Sequence, residues 1–260
     1  MTKKKLTQQI LTGKDEFLFV CKPGVECYTS CCGNVNIFLA PYDVIRLRKK
    51  LNMGSREFLD RYTTILKGSN PLVPLVLLKM DESEKKRCQF VTEDGCQVYD
   101  DRPWACRMFP LDLEIKGKYS FITDEKRCKG LLQDNKWKVS DWLETQGIKE
   151  YEEWNALHEE ITGDRDFHKL DVNNPQIRRM MFMATYDLDA FREFVFETKF
   201  LEMFDLGEER IQKVREDELE LLRLGMDWIK FGLFGEKTLK LNPQALEAQR
   251  KAAESAPNGA

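Results

Sequence analysis

Half of the chain's eight cysteines fall within twelve residues, from Cys21 to Cys32, in the run Cys-Lys-Pro-Gly-Val-Glu-Cys-Tyr-Thr-Ser-Cys-Cys. The other four, Cys88, Cys96, Cys106 and Cys128, also lie in the first half, and beyond Cys128 the only sulfur is methionine. A gradient that steep ties one half of the chain to sulfur chemistry. Its nature depends on the compartment and on the spacing.

At 260 residues the chain is long enough for one large domain or two smaller ones, and it needs no disulfide staples to bury a core. Basic and acidic residues nearly balance, 41 against 44, which argues against bulk capture of nucleic acid. The N-terminal stretch is rich in lysine, but Gln8, Gln9, Lys14, Asp15 and Glu16 break up any apolar core, so it does not read as a secretory signal. The longest apolar run, Leu72–Leu78, is short and contains Pro74, so no membrane-spanning helix is expected. These features describe a cytoplasmic protein with neither nucleic acid nor membrane as a partner. In a reducing cytosol thiols stay reduced, and a dense set of them points to metal ligation or redox chemistry rather than disulfides. Buried structural thiols would suit scattered single cysteines, not an adjacent pair beside two more.

Periodicity predicts a mainly α, α+β chain: a cysteine-rich N-terminal half with short hairpins, then a helical C-terminal half. Pro41–Leu51 reads as a helix with proline in its first turn, Val44, Leu47 and Leu51 on one face, and Arg46, Arg48, Lys49 and Lys50 on a solvated one. Ser55 is placed to cap a helix over 56–66. Segments 72–80 and 88–91 look extended, and Asp94-Gly95 signals a hairpin with 97–99 returning. That turn would draw Cys88 and Cys96 together. A short helix is expected over 101–108, and a second hairpin over 111–122 around Lys116-Gly117-Lys118. Beyond Val139 come long helices: one capped by Ser140, one over 148–161, one begun by Asn174-Pro175, then 187–204 and 208–228. Their aromatic and leucine stripes read as core. The expected domains are 1–135 for metal binding, 136–241 as a helical region packed on it, and a disordered tail over 242–260.

Thiolates select zinc, copper(I) or iron–sulfur clusters. The only histidines, His158 and His168, sit in charged helical surroundings and read as surface residues, so the ligand set is expected to be sulfur alone: Cys21, Cys27, Cys31, Cys32, Cys88, Cys96, Cys106 and Cys128. Zinc knuckles favour two to four residues between paired cysteines. Here only the gap between Cys27 and Cys31 fits. The irregular gaps favour an iron–sulfur cluster, with 4Fe-4S first, over zinc. Eight is twice four, so either two sites or one site with spare thiols is allowed. Neighbouring side chains in an extended stretch point to opposite sides, so the pair Cys31-Cys32 more naturally divides between two sites, or between one ligand and one thiol that supports it from behind. Arg102 and Arg107 flank Cys106 closely enough to offer charge-assisted hydrogen bonds to an anionic cofactor, as Lys126 and Arg127 do beside Cys128.

Cys21, Cys27 and Cys31-Cys32, the Pro41-Tyr42-Asp43 helix, Cys88-Gln-Phe, Cys96-Gln-Val-Tyr and Arg102-Pro-Trp-Ala-Cys106-Arg107-Met-Phe-Pro110 together resemble the YkgJ family. That family is described as a zinc- or iron-chelating cysteine-cluster domain, and the resemblance covers roughly residues 17–130. The family pattern has two residues between successive cysteines where this chain has five and three, so Cys21 matches less closely than Cys31, Cys32 or Cys106. One branch looks like flagellin lysine N-methylase, which would imply S-adenosylmethionine, a cluster and a protein substrate. The chain has no Gly-x-Gly, and Asn34 stands where a radical S-adenosylmethionine motif would place its third cysteine. The resemblance thus implies a metal-binding protein, with protein methyl transfer as the alternative and any protein partner left open.

Overall fold

The computed structural model describes residues 9–244 apart from 164 and 166, together with 247; of His168 it describes only the backbone. The described chain divides into two compact units. The first holds the described residues up to Met53 together with Asp60–Leu66 and Leu75–Ala156; the second holds Gly54–Leu59, Lys67–Pro74 and the described residues from Leu157 onward. Among the described residues ten α-helices accompany small ladders of two or three strands, an α+β chain, and no described helix is long and apolar enough to cross a membrane.

In chain order, β1 (Glu16–Leu18) leads through a run of turns to β2 (Phe38–Leu39) and α1 (Pro41–Lys50). Pro41 opens α1 because its missing N–H would have no partner there in any case. The basic face of α1 is less solvated than expected. Arg46 is ion-paired with Asp101 at 2.7 Å, and Arg48 is buried with Nη1 donating to the Met53 carbonyl. α2 (Ser55–Tyr62) stops short of the expected Leu66, because the β-branched run Thr63-Thr64-Ile65 continues as β3 (Thr63–Lys67). β4 (Pro74–Leu78) lies between β2 and β3 in one sheet, with Phe38 opposite Leu77.

The next hairpin is tighter than the sequence suggests. β5 (Val91–Thr92) returns at once as β6 (Gly95–Cys96), with Val91 opposite Cys96, while of the strand expected over 97–99 residues 97 and 98 form a turn and 99–101 a single 3-10 turn. α3 (Trp104–Met108) follows, then the hairpin of β7 (Leu111–Ile115) and β8 (Lys118–Phe121), turning at Gly117 with φ +77°. β9 (Lys136–Lys138) pairs back onto β1, setting Phe17 opposite Trp137. α4 (Val139–Thr145) begins one residue before Ser140, which is therefore inside the helix and not its cap. Trp142 stands edge-on to Phe17, Phe19 and Trp137 at 5.2–6.1 Å, in a core shared with Met108, Leu111 and Phe121. Each such side chain contributes roughly 1.5–3 kcal/mol through burial.

α5 (Ile148–Thr162) ends in the second unit, which continues as α6 (Pro175–Thr185), α7 (Leu188–Glu197), α8 (Phe200–Met203), α9 (Glu208–Glu216) and α10 (Glu218–Phe234). Asn174 caps α6 as expected, its Oδ1 accepting from Gln176 and Ile177. The two long C-terminal helices are each broken. Thr198 and Lys199 separate α7 from α8, and Asp217 leaves helical geometry to cap α10. α10 is the axis of this unit. Leu221, Leu222, Leu224 and Ile229 are fully buried, and Trp228 stacks on Phe191, tilts against Phe194 and meets Phe200 edge-on at 4.8–5.9 Å. Gly225 lets α10 approach α6 so closely that any Cβ there would run into the Ala184 carbonyl. Of the expected tail, all but 242–244 and 247 lies outside the described residues.

Candidate metal centre

All eight cysteines are free thiols and all belong to the first unit. The segment from Cys21 to Cys32 is held by successive tight turns, with Val25 bonding back to Lys22, Tyr28 to Val25, Ser30 to Cys27 and Cys32 to Thr29. Thr29 is itself in left-handed geometry at φ 61°. The Cys31-Cys32 pair is therefore part of a turn rather than an extended strand.

Cys128 comes to this loop through backbone pairing. The Val20 N–H donates to the Gly130 carbonyl at 3.1 Å, and Gly130 lies so near the Val20 carbonyl that no side chain fits there. The result is a pocket lined by Cys21, Cys27, Cys31 and Cys128, with Phe109, Thr123 and Arg127 among its other walls. Backbone N–H groups are turned towards sulfur in it. Lys129 N–H donates to Cys27 Sγ at 3.1 Å, and the amides of Gly130 and Leu131 face Cys128. Burial and the neighbouring thiols push the Cys21 and Cys128 pKa values up to about 11. Cys21 is exposed at its surface, yet enough protein surrounds the sulfur for burial to be the larger cause. The Cys31 thiol is pushed up as well, first by the hydrogen bond to Cys32 and then by burial, while the Arg127 guanidinium opposes the rise.

A second group forms around the β5–β6 turn. Cys88 N–H donates to the Cys32 carbonyl at 2.8 Å, and Gly33 pairs with Arg87, so the chain leaving Cys32 runs beside the chain entering Cys88. The Phe90 amide faces Cys88 and the Val98 amide faces Cys96, each two residues on from its cysteine. Cys106, on α3, lies close enough to Cys88 and Cys96 to feel their charge. Burial and those neighbours push it up to about 12, against the pull of Arg102. Tyr28 stands between the groups, its hydroxyl over Gly95 where a Cβ would collide, within electrostatic reach of Cys21, Cys32 and Cys96.

The two arginines serve differently from a direct contact with sulfur. Arg107 sends Nε to the Arg102 carbonyl, Nη1 to the Gln146 carbonyl and Nη2 to the Asp100 carbonyl, with its guanidinium over the Tyr151 ring. It fastens the segment that carries Cys106. Arg102 bonds the Tyr99 carbonyl and Gln146 and covers the Tyr99 ring at 3.7 Å, but its charge still favours the thiolates of Cys96 and Cys106. His158 belongs to neither group and is not the surface residue expected. Its Nε2 is enclosed without a hydrogen-bond partner among the described residues, and burial lowers its pKa to about 4.

Two contributors escaped the sequence reading. Asp43, buried in α1, accepts from the Ala40 N–H with one oxygen and from the Trp104 N–H with the other, both at 2.8 Å, and so ties the start of α1 to the start of the Cys106 helix. Its place three residues beyond Ala40 is a capping signature that could have been noticed. Thr123 is 7% exposed and lines the first thiol pocket, and its hydroxyl has no partner among the described residues. Nothing in the sequence marks it.

Residues 20–136 match the model of a family described as "CxxCxxCC: Putative zinc- or iron-chelating domain". The match covers less than half of the chain, and it is this segment that is similar to that family. No curated protein and no solved structure matches the chain. The CxxCxxCC domain contains all eight cysteines, and its donor chemistry fits a soft metal or a cluster. The candidate ligands are thiols, four of them face backbone N–H donors that would stabilise thiolate, and an unpartnered hydroxyl stands beside one group. Among the described residues, no three His, Cys, Asp or Glu side chains already stand as a group that could hold an ion, so side chains must turn inward to bind one. The raised thiol pKa values mean that binding releases protons.

Proposed function

We propose that this chain is a metal-binding protein whose CxxCxxCC domain holds an iron–sulfur cluster through cysteine sulfur alone. The observation that carries the reading is the pocket walled by Cys21, Cys27, Cys31 and Cys128, with the Lys129 amide already bonded to the Cys27 sulfur. Clusters take four thiolates at irregular spacing and are tuned by N–H···S bonds, and the irregular gaps together with the Lys129 amide on the Cys27 sulfur support that reading. Zinc would use the same thiolates but prefers short paired spacings, present only at Cys27 and Cys31. Bound there, the group would supply electron transfer or sulfur-ligated iron chemistry. The protein's part is to hold the thiols, supply amide donors and set the charge through Arg102 and Arg127. Eight free thiols suit a reducing compartment.

Purification under anaerobic conditions tests this. The expected product is brown, with broad visible absorption bleached by dithionite and with iron and acid-labile sulfide in equal amounts. A colourless preparation holding tightly bound zinc would overturn the cluster and keep the metal. A preparation that binds neither would overturn both.

A further inference from the structure

Resting on the metal-binding reading, we infer that the eight cysteines form two separate four-sulfur sites, one from Cys21, Cys27, Cys31 and Cys128 and the other from Cys32, Cys88, Cys96 and Cys106. Only the first four line the pocket, and they are joined across the sequence by the bond from the Lys129 amide to Cys27 and by the pairing of Val20 with Gly130. The second set is built by different elements. The β5–β6 hairpin carries Cys96 back past the residues that follow Cys88, and α3 brings Cys106 to both.

The adjacent pair is where the sites part. Cys31 turns its thiol into the pocket, while the backbone of Cys32 is bonded to Cys88 and Gly33 continues that pairing with Arg87. Tyr28, which lines the first pocket, carries its hydroxyl over Gly95 of the hairpin that bears Cys96. Each site has its own amide donors, from Lys129, Gly130 and Leu131 in the first and from Phe90 and Val98 in the second. The sites also differ in access. Cys21 opens the first to solvent, whereas every member of the second is at least partly covered.

The test uses the whole chain, reduced and metal-free, titrated anaerobically with cadmium. Thiolate-to-metal absorption reports binding, and alkylation mapped by mass spectrometry reports which cysteines each equivalent protects. Saturation at two equivalents is expected, with the first protecting one complete set of four. Cys128→Ser and Cys106→Ser should each reduce the end point to one equivalent while leaving the opposite set protectable, and Cys32→Ser should behave like Cys106→Ser. A single end point protecting all eight, or protection that mixes the sets, would overturn the division while leaving metal binding intact. A chain that binds no cadmium would overturn the metal-binding reading and the division with it.

Discussion

The two units solve the problem of staying folded in opposite ways. The second is organised by long helices around α10, with Trp228 against Phe191, Phe194 and Phe200 and with Leu221, Leu222 and Leu224 completely buried. The first has an aromatic core around Trp142, but its thiol-bearing segments lie in turns, a two-residue ladder and one short helix. Isolated turns of that kind stabilise little on their own. What holds those segments is polar: the two carboxylate oxygens of Asp43, the three carbonyl contacts of Arg107 and the amides facing sulfur. The contrast implies that order around the thiols depends on what they bind, and that order around α10 does not.

Stripping metal with a chelator under reducing, anaerobic conditions should break the contrast most. Amide exchange in 20–34, 86–106 and 123–131 should accelerate by orders of magnitude while α6, α7 and α10 keep their protection. Uniform protection in both units after metal removal would contradict the difference. Gly225→Ala attacks the other side, because its Cβ would drive α10 away from the Ala184 carbonyl. A loss of about 3 kcal/mol is expected in denaturant melts that follow the second unit, with metal content unchanged. Asp43→Ala leaves the Ala40 and Trp104 amides without their partner, at a cost of about 1–3 kcal/mol. Alkylation of the metal-free variant should then speed up at Cys106 and not at Cys128.

The smallest effect is in pH, and the units should respond at opposite ends of the scale. In the metal-free protein the folded-state thiols of Cys21 and Cys128 are raised from their ordinary 9.0 to about 11, so the folded state holds protons that the unfolded state gives up. Their contribution is complete below pH 9.0 and is lost as pH climbs towards 11. His158 is lowered from 6.5 to about 4, so the unfolded state binds the extra proton, and stability of the second unit falls as pH drops through that interval. His158→Leu should flatten that loss. An acid limb that survives in the variant would assign it to another group.

Much of this was legible in the sequence, and for identifiable reasons. Proline at the first turn of α1, Asn174-Pro175 at α6 and the Lys-Gly-Lys turn between β7 and β8 are local signals, and local geometry follows them. The thiols drew attention because all eight cysteines fall in the first half of the chain. Errors arose where the signal was long-range or evenly balanced. The helical pattern through Ile65 gave way to β-branched residues paired in a sheet, and Asp217 interrupted what periodicity reads as one helix. His158 looked exposed because charged residues surround it in sequence, although its ring meets Tyr186 edge-on in space. Arg107 beside Cys106 suggested a sulfur contact. Only the fold reveals that three carbonyls claim its nitrogens.

X-ray absorption at the metal edge of the anaerobically isolated protein examines the ligands themselves. Coordination by the cysteines of the CxxCxxCC domain predicts a first shell of sulfur only, at about 2.3 Å, with a short metal–metal shell added if the metal is in a cluster. A first shell dominated by nitrogen or oxygen would contradict the assignment of the thiols as ligands.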